Sequence, residues 1–111
     1  MINVYTQEFY KEYSQERFIA DAWNFGCLDE DANGNNGVEF LLPEAKEAGF
    51  NSNLAYWSSK AFQESSNLEA AINTFADLFS ASWVNYCREF HYEVTELSNG
   101  NYQLIFVTYD R

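Results

Sequence analysis

Between Ser66 and Phe90, apolar side chains recur every three or four positions, at Leu68, Ile72, Phe75, Phe79, Trp83, Tyr86 and Phe90. That spacing lines one side of an α-helix for roughly six turns and predicts a long amphipathic helix around which the rest of the chain packs. Ser66, followed three residues later by Glu69, has capping-box spacing, so each side chain would satisfy a free amide at the helix start. Two runs rich in aromatic and β-branched residues come next, Phe90 to Leu97 and Tyr102 to Tyr109, joined by Ser98-Asn99-Gly100-Asn101. Asn-Gly within such a linker is a strong hairpin signal, because both residues tolerate the positive φ of a tight two-residue turn.

With Asn99 and Gly100 as the two turn residues, Leu97 faces Tyr102, Val94 faces Ile105, Tyr92 faces Val107 and Phe90 faces Tyr109. One hairpin face then carries Phe90, Tyr92, Val94, Ile105, Val107 and Tyr109, and this is the side expected to press on the long helix. The opposite face mixes Leu97, Tyr102, Leu104 and Phe106 with His91, Glu93, Thr95 and Thr108. It is too apolar to sit wholly in water, so either the N-terminal half covers it or a partner does.

Earlier in the chain, Ile2 to Tyr5 is a short β-prone run suited to join the hairpin as a third strand, and Thr6 could cap a following helix with Glu8 in its first turn. On that helix, running to about Trp23 and closed by Gly26, Phe9, Tyr13, Ala20 and Trp23 would share one stripe. Glu8, Glu12 and Glu16, at intervals of four, would form a row of carboxylates about 5–6 Å apart. Val38 to Leu42 suits a strand. Pro43 opens a short helix over Glu44 to Ala48, closed by Gly49. A further helix is predicted over Asn53 to Glu64, capped by Asn51 or Ser52, with Leu54, Trp57, Ala61 and Phe62 on its apolar side. These elements predict one α+β domain over residues 1–111: a small antiparallel sheet, made of the C-terminal hairpin plus the N-terminal strand, packed against two to three helices.

Charge sharpens this picture. The chain of 111 residues has six basic and seventeen acidic side chains, a net charge of −11, yet it is 47% apolar and 19% aromatic. An acidic chain that rich in aromatics has enough apolar surface to bury, so its carboxylates belong to the surface of a folded body. Such a surface repels nucleic acid and anionic lipid and favours fast capture by a basic partner. No apolar run approaches the roughly 20 residues of a membrane helix, and Met1 to Ala20 is broken by charges unlike a secretory signal. A cytoplasmic protein with free thiols at Cys27 and Cys87 is the expectation.

Catalytic chemistry leaves little trace. Cys87 falls on the predicted core stripe of the long helix, and a lone His91 with two cysteines is too small a set for a zinc site. The five glycines match neither phosphate-binding pattern. The segment Asp29-Glu30-Asp31-Ala32-Asn33-Gly34 resembles the opening of an EF-hand calcium loop, with oxygens at positions one, three and five and glycine at six. The bidentate glutamate required at position twelve is replaced by Phe40, with Glu39 one residue early. No cofactor is expected.

The combination predicts a non-enzymatic inhibitor that binds a basic protein, a nuclease or a component of a nucleic-acid-targeting complex, with nucleic-acid mimicry as one route. In size and charge the chain is similar to phage-encoded inhibitors of bacterial defence nucleases, including anti-CRISPR and antirestriction proteins, and to toxin immunity proteins. That likeness is compositional and carries no functional residues across. The candidate contacts are Glu8, Glu12 and Glu16, the acidic loop residues Asp29, Glu30 and Asp31, and Tyr102 with Phe106 on the second hairpin face. A calcium-responsive module built on Asp29 to Glu39 is the alternative, and a self-associating structural domain, a homodimer through the hairpin face, is the third option.

Overall fold

The computed structural model describes residues 2–25, 42–50, 52–80 and 87–110, with the side chains of residues 3, 25, 87, 88 and 110 outside that description. Along the described chain run strand β1 (Ile2–Phe9), helix α1 (Gln15–Ala22) with a 3-10 turn at Trp23–Phe25, helices α2 (Pro43–Glu47), α3 (Asn53–Glu64) and α4 (Leu68–Ser80), and strands β2 (Cys87–Glu96) and β3 (Tyr102–Asp110). The strands form an antiparallel sheet in the order β1-β3-β2. The fold is α+β, as the pattern predicts.

The helix ends follow local chemistry. Ser52 caps α3, its Oγ accepting from the Ala55 amide at 3.3 Å, and Pro43 opens α2 where a missing N–H costs nothing. Gly49, at φ +90°, donates to the Lys46 carbonyl and closes α2. At α4 the cap is Asn67 and not Ser66: the Asn67 Oδ1 accepts from the Ala70 amide at 2.9 Å, and its carbonyl takes the first helical bond from Ala71.

Two predicted helices are shorter than the spacing suggests. Part of each predicted span belongs to the sheet instead. β1 continues through Thr6 to Phe9, and Ser14, not Thr6, caps α1, its Oγ accepting from the Arg17 amide. Eight consecutive pairings with β3, from Ile2↔Tyr109 to Phe9↔Tyr102, outweigh the helical preference of so short a charged stretch. At the other end α4 is described to Ser80, and residues 87–90 belong to β2. Cys87 therefore opens a strand and does not lie on a helix. Phe90 satisfies a helical spacing from Phe79 and also alternates with Tyr92 and Val94, and the pairing with β3 decides between the two periods. The predicted strand Val38 to Leu42 and the capping role of Gly26 fall outside the described residues, apart from Leu42, which precedes α2.

The hairpin turn sets the sheet's register. The Gly100 amide donates to the Leu97 carbonyl at 3.0 Å and the Leu97 amide to the Asn101 carbonyl at 2.7 Å. Gly100 has φ +91°, and no non-glycine residue has positive φ among those described, Asn99 included. The loop is thus the three residues Ser98, Asn99 and Gly100, with one left-handed glycine, and not a two-residue turn that would need positive φ at Asn99 as well. The extra loop residue shifts the pairing by one: Tyr92 faces Phe106, Val94 faces Leu104 and Phe90 faces Thr108. A one-residue shift inverts which β3 side chains share a face with Tyr92. Leu104, Phe106 and Thr108 are therefore buried, while Ile105, Val107 and Tyr109 turn to the other side.

Helices pack on one face of the sheet. A chain of aromatic rings joins the layers: Phe9 lies 5.4 Å from Phe18 of α1, Phe18 is 6.3 Å from Phe75 of α4, Phe75 stacks on Phe79 at 5.8 Å, and Phe79 meets Phe106 of β3 edge-on at 5.6 Å. Trp57 and Leu54 bring α3 into the same buried cluster. Polar groups drawn inside are satisfied. The buried Asp21 accepts from the Tyr10 amide at 2.9 Å and from Arg17 at 3.3 Å, and the Asn53 side chain accepts from the Leu42 amide at 2.8 Å.

Candidate partner-binding surface

The predicted contact residues do not form one group. Glu8 lies on β1, Glu12 in the connection that follows and Glu16 in the first turn of α1, so the three carboxylates are exposed but never share a helix. The four-residue interval became a row only on the assumption of a continuous helix, which the extension of β1 removes. Glu8 instead accepts from the Asn101 side chain, and the Lys11 amide donates to Asn101 Oδ1 at 2.9 Å, so this acidic corner is tied to the hairpin loop. Asp29, Glu30 and Asp31, and with them the EF-hand-like segment, lie outside the described residues. Phe106 is fully buried and faces the helices, so it is unavailable to a partner; the register shift that moves it inside is the physical reason. Tyr102 is half-buried at the edge of the core.

Along the boundary between α4 and the sheet the structure brings Tyr102 together with residues the sequence did not single out. Tyr92 on β2 donates to Asp77 of α4, and Tyr102 on β3 donates to Glu96 at 2.8 Å with Glu69 of α4 close by. Burial, the hydrogen bond and the Asp77 charge push the Tyr92 hydroxyl up to about 12. The Tyr102 hydroxyl is raised too, first by its hydrogen bond to Glu96 and then by burial and the neighbouring charges of Glu96 and Glu69. Both phenols stay protonated at neutral pH and act as donors that fix carboxylates in place. The alternation of β2 placed Tyr92 and Glu96 on one side from the start, but only the position of α4 shows what they meet.

The sheet's other face has no described element packed on it. Reading across the strands, Ile2 lies beside Tyr109 and Glu89, Val4 beside Val107 and His91, Thr6 beside Ile105 and Glu93, and Glu8 beside Gln103 and Thr95. Ile2 and Val4 are each 61% exposed. The centre of this face is apolar and its border acidic. His91 lies 3.3 Å from Glu89 and edge-on to Tyr109.

Among the described residues no helix is long and apolar enough to cross a membrane, and no group of three or more His, Cys, Asp or Glu side chains is placed to hold a metal ion. Ion pairing among them is limited to Arg17–Asp21, Lys60–Glu64 and His91–Glu89. Glu8, Glu12, Glu16, Glu44, Glu47, Glu69, Asp77, Glu93 and Glu96 are all exposed, with no cation in ion-pair range among the described residues. Compared with models of known protein families, with curated proteins and with solved structures, the chain matches none.

Proposed function

We propose that this is a cytoplasmic, non-enzymatic inhibitor that binds a basic protein handling nucleic acid and blocks it by occupying the surface meant for phosphate. The observation that carries this reading is the set of exposed carboxylates with no ion-pair partner among the described residues, held on an aromatic core. A net charge of −11 on 111 residues creates a field that accelerates encounter with positive charge. The tyrosine–carboxylate pairs at Asp77 and Glu96 add fixed negative positions, since each side chain is already ordered before a partner arrives.

The test is affinity capture from the native host at low and high salt, followed by an activity assay of the captured protein on nucleic acid. Expected is a basic partner whose activity falls to zero at a stoichiometric amount of this protein. Its association rate should drop steeply with salt and also on replacing Glu12 and Glu16 with lysine. Salt-independent capture, or turnover of a substrate by the purified protein alone, overturns the proposal.

A further inference from the structure

We infer that the sheet face on which no described element packs is the docking surface for a cationic segment of the partner that carries its own apolar side, such as an amphipathic helix edged with lysine or arginine. The inference rests on the functional reading above and narrows it from charge in general to one place. Its ground is the arrangement on that face. Val4, Val107 and Ile105 run through the middle, with Ile2 at one end, while Glu89 and Glu93 border the β2 side and Glu8 the far end of β1. Among the described side chains at these positions none is a lysine or arginine, and the basic one described there, His91, already faces Glu89. An apolar centre with an acidic border is the complement of an apolar stripe with basic flanks.

The charge also rules against the simplest other occupant. A second copy placed on this face would bring Glu8, Glu89 and Glu93 against the same three acids, or against other parts of a surface that is itself strongly negative. Size points to a segment as the occupant. Three strands about 4.8 Å apart and eight residues of about 3.3 Å each span on the order of 370 Å², roughly half of what one partner contributes to a standard interface. A single helix covers that area, and a larger partner would extend onto the acidic border.

The test uses the full chain, isotopically labelled, titrated with two synthetic probes: a lysine–leucine peptide with an amphipathic helical pattern, and a lysine–glycine peptide of equal length and charge. Binding of the lysine–leucine peptide is expected to shift the amides around Val4, Ile105 and Val107 and to be at least tenfold tighter than that of the lysine–glycine peptide. The decisive variant is Ile2→Glu with Val4→Glu, both at positions 61% exposed on an edge strand and so tolerated by the fold. Docking on the apolar centre predicts affinity about tenfold or more weaker, whereas attraction by charge alone predicts tighter binding from two added carboxylates. Unchanged or tighter binding overturns the inference and leaves the charge-driven inhibitor reading standing. So do amide shifts spread over Glu44, Glu47 and Glu64 without preference for the sheet. Concentration-dependent dimerisation through this face, or contacts from residues 26–41 onto Val4 in the free protein, overturns it as well. Salt-independent binding of both probes removes both readings together.

Discussion

Replacing Phe106 by alanine tests the hairpin register, on which the division between core and open face depends. Its ring is fully buried, 5.6 Å from Phe79 in an edge contact and 6.1 Å from Phe90 in a stack. Removing a buried phenyl group loses the transfer energy and leaves a cavity, about 3–5 kcal/mol in all. The ring contacts with Phe79 and Phe90 place the cost toward the upper end of that range. Val107, one residue further on, sits half-buried on the other face, so Val107→Ala withdraws little apolar surface from contact and should cost about 1 kcal/mol or less. Against a domain stability of about 5–15 kcal/mol, and at about 4 °C per kcal/mol for a chain of this size, Phe106→Ala should lower the melting temperature by about 12–20 °C and Val107→Ala by a few degrees. Urea unfolding followed by circular dichroism gives the same comparison through the midpoint at constant slope. If Phe106→Ala leaves too little folded protein, Phe106→Leu at about 1–1.5 kcal/mol keeps the comparison usable. A two-residue Asn-Gly turn would reverse the order, and a Val107→Ala cost equal to or above that of Phe106→Ala would refute the register.

Three further outcomes are expected. Asn67→Ala should cost about 1 kcal/mol by removing the α4 cap while Ser66→Ala stays within about 0.5 kcal/mol; thermal melts of the two variants showing the reverse would place the cap at Ser66. Asp21→Ala should cost about 2–3 kcal/mol, because the part-buried Tyr10 amide and Arg17 lose their acceptor, with Asp21→Asn recovering part of it; chemical denaturation giving less than about 0.5 kcal/mol would show that water replaces the carboxylate. Tyr92 has its hydroxyl raised from an ordinary 10.0 to about 12, so the stability it contributes is fully present below pH 10 and is lost as pH rises from 10 through 12. Tyr92→Phe should be about 0.5–1.5 kcal/mol less stable at pH 7 yet lose less on going from pH 10 to pH 12, and equal losses in melts across that window would show that Asp77 does not hold the phenol.

Where an element is specified by its own residues, the amino-acid pattern located it closely. Ser52 and the stripe Leu54, Trp57 and Ala61 delimit α3 at the predicted positions, and Pro43 with Gly49 bracket α2, because capping and burial act within one or two turns. The hairpin and its third strand were legible for the same reason: β-prone runs and an Asn-Gly linker state their preference locally. The errors lie where two local preferences compete. Glu8, Glu12 and Glu16 suit a helix as well as the strand, loop and helix they occupy, and Phe90 fits two periods at once.

What the sequence determined by itself is a strongly acidic chain with an aromatic core, the α+β class and the caps of the middle helices, all set by short-range chemistry and summed charge. What only the tertiary structure decided is the side of the sheet on which each residue of β3 lies. That choice turns on one loop residue, Asn99 keeping negative φ beside Gly100 at φ +91°, and its effect is felt across the whole sheet because side chains alternate with a period of two. Phe106 thereby enters the core, Ile105 and Val107 are left on the face away from the described helices, and the acids of β1 and β2 become the border of an apolar surface that no run of sequence contains.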